Sequence, residues 1–277
     1  MMRLLIAPAA LWMVLFFAVP LVIVLAYSVL TPSSIYQVTT PLTLGNYLRL
    51  AEPTYTSVLV RSILTAVVTT VICLLIGYPL AFFIATRSKS ARNVFLLLVI
   101  IPFWTNFLVR TYAIAFLIND TGLINTLLTD YLHLIDEPIH MMNTPFAVYL
   151  GLVYGYLPFM VLPIYTAIEK FNFRLVEAAY DLGANDWRAF WRVILPVTLP
   201  GVLAGAMLVF IPAFGAYVTP DLLGGAKFLM VGNQIKQFVD SPTGKPFGSA
   251  LSIAMMLVVV VALLIFYRFG DRESLPV

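Results

Sequence analysis

Charge is scarce in this chain. Only 10% of its 277 residues are Asp, Glu, Lys or Arg, against about 25% in an average soluble domain, which excludes an ordinary water-soluble enzyme. Cysteine is scarcer still. Cys73 is the single one, so the chain forms no internal disulfide, and with His133 and His140 as its two imidazoles it offers no Cys/His metal set. Sixteen Lys plus Arg against thirteen Asp plus Glu leave +3, too small a basic excess for a nucleic-acid surface. The phosphate-cradling loop Gly-x-x-x-x-Gly-Lys-Ser/Thr does not occur in it.

What is abundant is apolar surface, 61% of residues. A membrane helix needs about 20 predominantly apolar residues. Six such runs stand out, at about 8–30, 58–86, 94–118, 146–168, 200–223 and 248–269. They leave short connections and no room for a soluble catalytic domain. This is the pattern of an all-α integral membrane protein with six transmembrane helices in one domain, 1–277. The first run follows Met1, Met2 and Arg3, like the basic start of a signal peptide, but exceeds the about 7–15 apolar residues of a signal, and reads as an uncleaved helix.

Lys and Arg in the short loops set the orientation. With both termini in the cytoplasm, the inside carries Arg3, Arg87, Lys89, Arg92, Lys170, Arg174, Arg188, Arg192, Arg268 and Arg272. The outside carries Arg49, Lys227, Lys236 and Lys245, while Arg61 and Arg110 fall inside spans. Ten against four accounts for the modest positive charge as topology. The outer loop 119–145 has no Lys or Arg but contains Asp120, Asp130, Asp136 and Glu137, which fits simple exclusion of positive charge from a translocated loop.

The longest inner segment, 169–199, is built differently from the other connections. Leu175, Ala178, Ala179 and Leu182 recur at helical spacing, Gly183 terminates that helix, and Asn185 caps a second one bearing Trp187, Phe190, Trp191 and Ile194. Pro196 and Pro200 then mark re-entry into the membrane. A helix with a small-residue face and a carboxylate, turned by glycine into an aromatic amphipathic helix, suits insertion into a groove of another protein. An amphipathic hairpin lying at the membrane interface is the other reading of these residues.

The run Glu177, Ala178, Ala179, Gly183, Leu195 and Pro196 resembles the EAA loop of ABC-importer permeases: E-A-A, three residues, G, nine residues, I-x-L-P. Val193 stands where the family usually has Ile, a conservative departure. The resemblance extends through GYPLAFFIA at 77–85, PFWTNFLVRTYA at 102–113, GLVYGYLPFMVLPIYTAIEK at 151–170 and TPDLLGGAKFLMVGNQI at 219–235. These segments are similar to the spermidine/putrescine importer permeases, and most to the first of their two homologous permease subunits. The EAA loop is class-wide; PFWTN and DLLGGAK carry the likeness to polyamine permeases.

The resemblance implies the type I ABC-importer permease fold with a cytoplasmic coupling hairpin, in the bacterial inner membrane. It implies a second homologous permease, two cytoplasmic ATPase subunits and an external substrate-binding protein as partners. The chain itself would be no enzyme and bind no cofactor, ATP and Mg sitting on the ATPases. Glu177 would be the polar contact to an ATPase, Ala178 and Ala179 would permit close approach, and Gly183 would make the turn. A permease of the same class for ferric iron, an aminophosphonate or an opine-like compound is a second reading, and an ATP-independent carrier or channel a third.

A polyamine path calls for carboxylates and aromatic faces for its ammonium groups. Asp221 supplies the carboxylate; Trp104, Tyr112, Tyr154 and Tyr156 are aromatic candidates, and Asn106 offers a neutral acceptor. The aromatics also suit an interfacial belt or helix packing. In straight helices at 1.5 Å per residue, Arg110 lies about 24 Å from the inner face and Asp221 about 31 Å. Arg110 counts against a polyamine path, since a cation beside the path repels a cation; at such similar depth it either pairs with Asp221, which removes the repulsion and occupies the carboxylate, or leaves both in place. Pro212, Gly215, Pro220 and the pair Gly224 and Gly225 argue for a broken helix around Asp221. Glu169 ends the fourth span as a carboxylate at the interface or on a cation exit route. Gly201, Ala204, Gly205 and Ala206 suit close helix contact, and the last span, without an ionisable residue between Gly248 and Tyr267, suits packing or lipid.

Overall fold

The computed structural model describes residues 8, 11–33, 37–39 and 42–270. Met1, Met2, Arg3 and Arg272, used above for orientation, lie outside the described residues. In chain order the elements are α1 (Leu11–Ser28), the antiparallel pair β1 (Thr31–Ser33) and β2 (Gln37–Thr39), α2 (Gly45–Leu50), α3 (Pro53–Ala85) and α4 (Lys89–Ile100). A 3-10 turn (Ile101–Trp104) leads to α5 (Phe107–Ile118) and the short α6 (Leu123–Thr126), which ends in a π turn, Leu127–Tyr131. Then follow α7 (Pro145–Glu169), α8 (Arg174–Asp181), α9 (Asp186–Phe214), α10 (Val231–Asp240) and α11 (Lys245–Gly270). Among the described residues, six stretches are long and apolar enough to cross a membrane: α1, α3, Phe107–Tyr131, α7, α9 and α11.

Two of these differ from the expected spans. The expected third span, 94–118, is not one helix: α4 gives way to the 3-10 turn and then to extended backbone at Thr105 and Asn106 before α5 begins. Pro102 cannot donate into an α-helical ladder, and Asn106 starts a new helix by accepting a hydrogen bond from the Leu108 N–H at 2.8 Å. The expected fifth span, 200–223, is shifted inward along the chain. α9 starts at Asp186, passes Pro196 and Pro200 without interruption and stops at Phe214. The π turn Phe190–Ile194, closed by the Leu195 N–H on the Phe190 carbonyl, widens the ladder just before Pro196, so the proline's missing donor and ring are accommodated.

The chain forms two compact units, residues 1–61 with 230–261, and residues 62–229 with 262–277. In the first, the buried Asn46 donates to the carbonyls of Ser28 and Leu30, and Ser28 Oγ meets Tyr47 Oη at 2.7 Å, fastening α2 to the end of α1. Arg49 lies over the rings of Tyr55, Phe238 and Phe247 and donates to Tyr55 Oη at 2.7 Å.

The second unit is organised around α7, half of whose apolar stretch is buried. Met160, Val161, Ile164 and Ile168 of α7 pack with Ala81 and Ile84 of α3 and with Val202 and Val209 of α9. Lipid is as apolar as these side chains, so close fit rather than dehydration holds such helices together. Two of the small residues expected to serve this are at the contact. A Cβ on Gly201 would come within 2.5 Å of Ala167 Cβ and 2.8 Å of the Pro163 carbonyl, and one on Gly205 within 2.9 Å of Met160 Sδ. Tyr78 Oη and Thr198 Oγ1, 2.9 Å apart and buried, lock α3 to α9.

Candidate functional site

The segment 171–194 folds as a hairpin on the second unit. α8 ends in a Schellman motif: Gly183 N–H donates to the Tyr180 carbonyl and Ala184 N–H to that of Ala179, with Gly183 at φ +80°. Asn185 then caps α9, its Oδ1 accepting from the Arg188 N–H at 2.9 Å. Tyr180 Oη donates to Asp186 Oδ1 at 3.0 Å across the turn. That hydrogen bond, with lesser contributions from burial and from the Asp186 charge, raises the Tyr180 phenol above its ordinary pKa.

The hairpin is seated by one side and bare on the other. Phe171, Val176, Ala189 and Ile194 are buried together against Phe82 of α3. Phe173 stands edge-on to both Phe82 and Phe171, and Phe190 edge-on to Tyr78. Of the stripe expected from sequence, Leu175, Ala178 and Leu182 point away from the chain, Leu182 being 88% exposed, and Ala179 does so only in part. Glu177 is exposed beside them, Ala179 half-buried, and Trp187 is 69% exposed past the turn. Glu177, Ala178, Ala179 and Gly183 thus share one projecting hairpin.

The membrane candidates separate into two kinds. Trp104, at the break before α5, is 78% exposed, and Tyr112 and Tyr154 are exposed on α5 and α7. Asn106 and Tyr156 each have a hydrogen bond within the chain: Asn106 Oδ1, on an exposed side chain, caps α5, and Tyr156 Oη donates to the Pro212 carbonyl at 3.3 Å. Asp221 is exposed in the first turn of a π helix, Pro220–Gly224, after α9 has stopped, so the broken-helix expectation holds there. That turn is fixed from below. Leu223 is fully buried with Ile118 and Ala147, and its carbonyl accepts from the Asn143 N–H at 2.9 Å.

Arg110 and Asp221 form no ion pair among the described residues. The Arg110 guanidinium lies instead 4.7 Å from the Phe103 ring centroid, with Nε and Nη1 buried without hydrogen-bond partners among the described residues. Phe103 is in turn edge-on to Phe159 of α7. Glu169 is also paired: Arg92 Nη1 donates to its Oε1 at 2.6 Å. Sequence reasoning counted Arg92 only as a topology charge. A partner 77 positions away leaves no local signal, whereas the bond between Tyr180 and Asp186 was readable as two polar residues flanking a glycine turn.

Residues 77–274 match the family model described as binding-protein-dependent transport system inner membrane component. The chain is 45% identical over 257 residues to the spermidine/putrescine transport system permease protein PotB of Haemophilus influenzae, covering 93% of this chain and 90% of that protein. It is 44% identical over 257 residues to PotB of Escherichia coli K12, covering 93% of each. Among solved structures, it shares its fold with a bacterial ABC transporter involved in the import of the acidic polysaccharide alginate. The TM-score is 0.73 at 15% identity, over 99% of this chain and 96% of that one.

Proposed function

The chain belongs to the family of binding-protein-dependent transport system inner membrane components, and on that premise we propose that it is the membrane-spanning permease subunit of an ATP-driven polyamine importer. It carries spermidine and putrescine into the cytoplasm by alternating access. One observation carries the mechanism: the hairpin 171–194 is anchored through buried Phe171, Val176, Ala189 and Ile194 on one side and offers an apolar stripe with Glu177 on the other. The cargo rests on the two PotB relatives and on the DLLGGAK and PFWTN segments.

The partners are a second, homologous permease, two cytoplasmic ATPase subunits that hold ATP and Mg, and an external substrate-binding protein. Both termini face the cytoplasm, as the Lys and Arg distribution requires. The stripe Leu175, Ala178 and Leu182 enters a groove of one ATPase, Ala179 lets the backbones approach, Glu177 makes the polar contact, and Gly183 sets the turn. Because the hairpin is seated by packed rings, closure of the ATPases around ATP displaces it as a body. That displacement biases the permease between inward-open and outward-open states, a two-state element driven by nucleotide.

In the path, Asp221 meets an ammonium group, its carboxylate not taken up by Arg110, whose guanidinium rests on Phe103. Trp104, Tyr112 and Tyr154 offer ring faces for cation–π contact. Asn106 and Tyr156 act by holding helices. The test is ATP hydrolysis by the assembled importer in nanodiscs. Spermidine-loaded binding protein stimulates it above the unloaded protein, and Glu177→Ala abolishes the stimulation while the complex still assembles. Equal rates with loaded and unloaded binding protein refute the proposal.

A further inference from the structure

Where α3, α4 and α7 end or begin, a single guanidinium touches all three. Arg92, in the first turn of α4, donates through Nη1 to Glu169 Oε1 at 2.6 Å, at the end of α7, and through Nη2 to the Ala85 carbonyl at 3.1 Å, at the end of α3. A cation at two helix C-termini satisfies carbonyls the ladders leave open and opposes their dipoles. Glu169 is five residues from the start of α8, and Phe171 between them is buried in the cluster that seats the hairpin. On its other side, Arg92 belongs to the helix that runs from Lys89 to the break at Ile101–Trp104, which ends in exposed Trp104. We propose that Arg92, by bridging Glu169 and the Ala85 carbonyl, is a positioning residue that transmits movement of the coupling hairpin to the broken third span. The inference rests on the functional reading above and names the part that carries the coupling.

The site has the build of a working joint rather than of a brace. The two side chains are 24% and 41% exposed, and ion pairs at that exposure contribute little to stability. Arg92 Nε is buried without a hydrogen-bond partner among the described residues, so the guanidinium is held below its full bonding capacity. Beside it a cleft of about 420 Å³, lined by Ala85, Thr86, Glu169, Phe171 and Phe173 among others, leaves space for the pair to shift.

The experiment uses the complete importer in proteoliposomes and reads ATP hydrolysed per polyamine moved, for wild type, Arg92→Gln, Glu169→Gln and the double variant. Each single variant is expected to raise that ratio about fivefold, the low end of usual coupling strengths, and the double no further, because both remove one link. Arg92→Lys keeps the charge for Glu169 and recovers most of the coupling. Wild-type ratios in both single variants, or losses that multiply in the double, overturn the proposal. Should Arg92→Gln fail to assemble, Glu169→Gln still carries the test, since Arg92 then retains the Ala85 carbonyl. A wild-type importer that moves no polyamine defeats the functional reading instead; one that couples normally alongside equally coupled variants defeats the role of Arg92 alone.

Discussion

Replacing Gly183 isolates what the backbone contributes to coupling. Its φ is +80°, and a Cβ built on it meets no atom within 4 Å, so alanine adds strain without a clash. An L-residue in the left-handed region costs about 1–2 kcal/mol. The variant either holds the turn under that strain or relaxes it and loses the register between α8 and the Asn185 cap. A partner that binds the native turn must then restore it, which weakens binding by about 5–30-fold. Asparagine visits this conformation readily, so Gly183→Asn stays near wild type, while the β-branched Gly183→Val fares worst. The assay titrates ATPase subunits onto the permease pair in nanodiscs and reads the concentration that half-saturates ATP hydrolysis. It is expected to rise in the order Gly, Asn, Ala, Val. Equal values for Asn and Val, or an alanine variant indistinguishable from wild type, refute the backbone explanation.

Removing the α5 cap with Asn106→Ala should lower thermal stability by about 1 kcal/mol, and Asn106→Ser should restore both stability and uptake; uptake left unrestored by serine would return Asn106 to the substrate path. Tyr156→Phe loses only the bond to the Pro212 carbonyl, about 0.5–1.5 kcal/mol of stability, with KM for polyamine unchanged; a raised KM contradicts its assignment to packing. Gly201→Ala overpacks α7 against α9 and should cost about 1–3 kcal/mol, visible as a lower Tm of the detergent-solubilised subunit, and an unshifted Tm means the helices are not in tight contact. Asp221→Asn should raise KM for spermidine about tenfold, the equivalent of about 1.4 kcal/mol, with Asp221→Glu retaining transport; wild-type kinetics in the Asn variant removes Asp221 from the path.

The coupling hairpin was legible because its determinants are local: a glycine that must turn, an asparagine that caps, and a stripe at helical spacing. Hydropathy located apolar runs but not helix ends. It passed through the break at Pro102–Asn106, since Pro102, Phe103 and Trp104 are as apolar as a helix interior, although a proline followed four residues later by a capping asparagine was a readable signal. Pro196 and Pro200 misled in the opposite direction. They look like a boundary, and the π turn that carries the helix through them, with the Leu195 N–H on the Phe190 carbonyl, is a backbone arrangement with no composition of its own. Pairing of charges was the least legible. The straight-helix count set Arg110 level with Asp221, but the third span breaks before Arg110 and the fifth stops before Asp221, and Arg110 rests on Phe103. Arg92 and Glu169 meet only because α4 and α7 pack in three dimensions.

The central claim, ATP-driven polyamine import through this permease, is tested most directly by spermidine accumulation in proteoliposomes. They contain both permeases and both ATPases, with the binding protein and labelled spermidine on one face and ATP on the other. The account predicts accumulation against a gradient that requires ATP and the binding protein and is lost in Glu177→Ala. Accumulation without ATP, or ATP-driven transport of another solute with none of spermidine or putrescine, would contradict it.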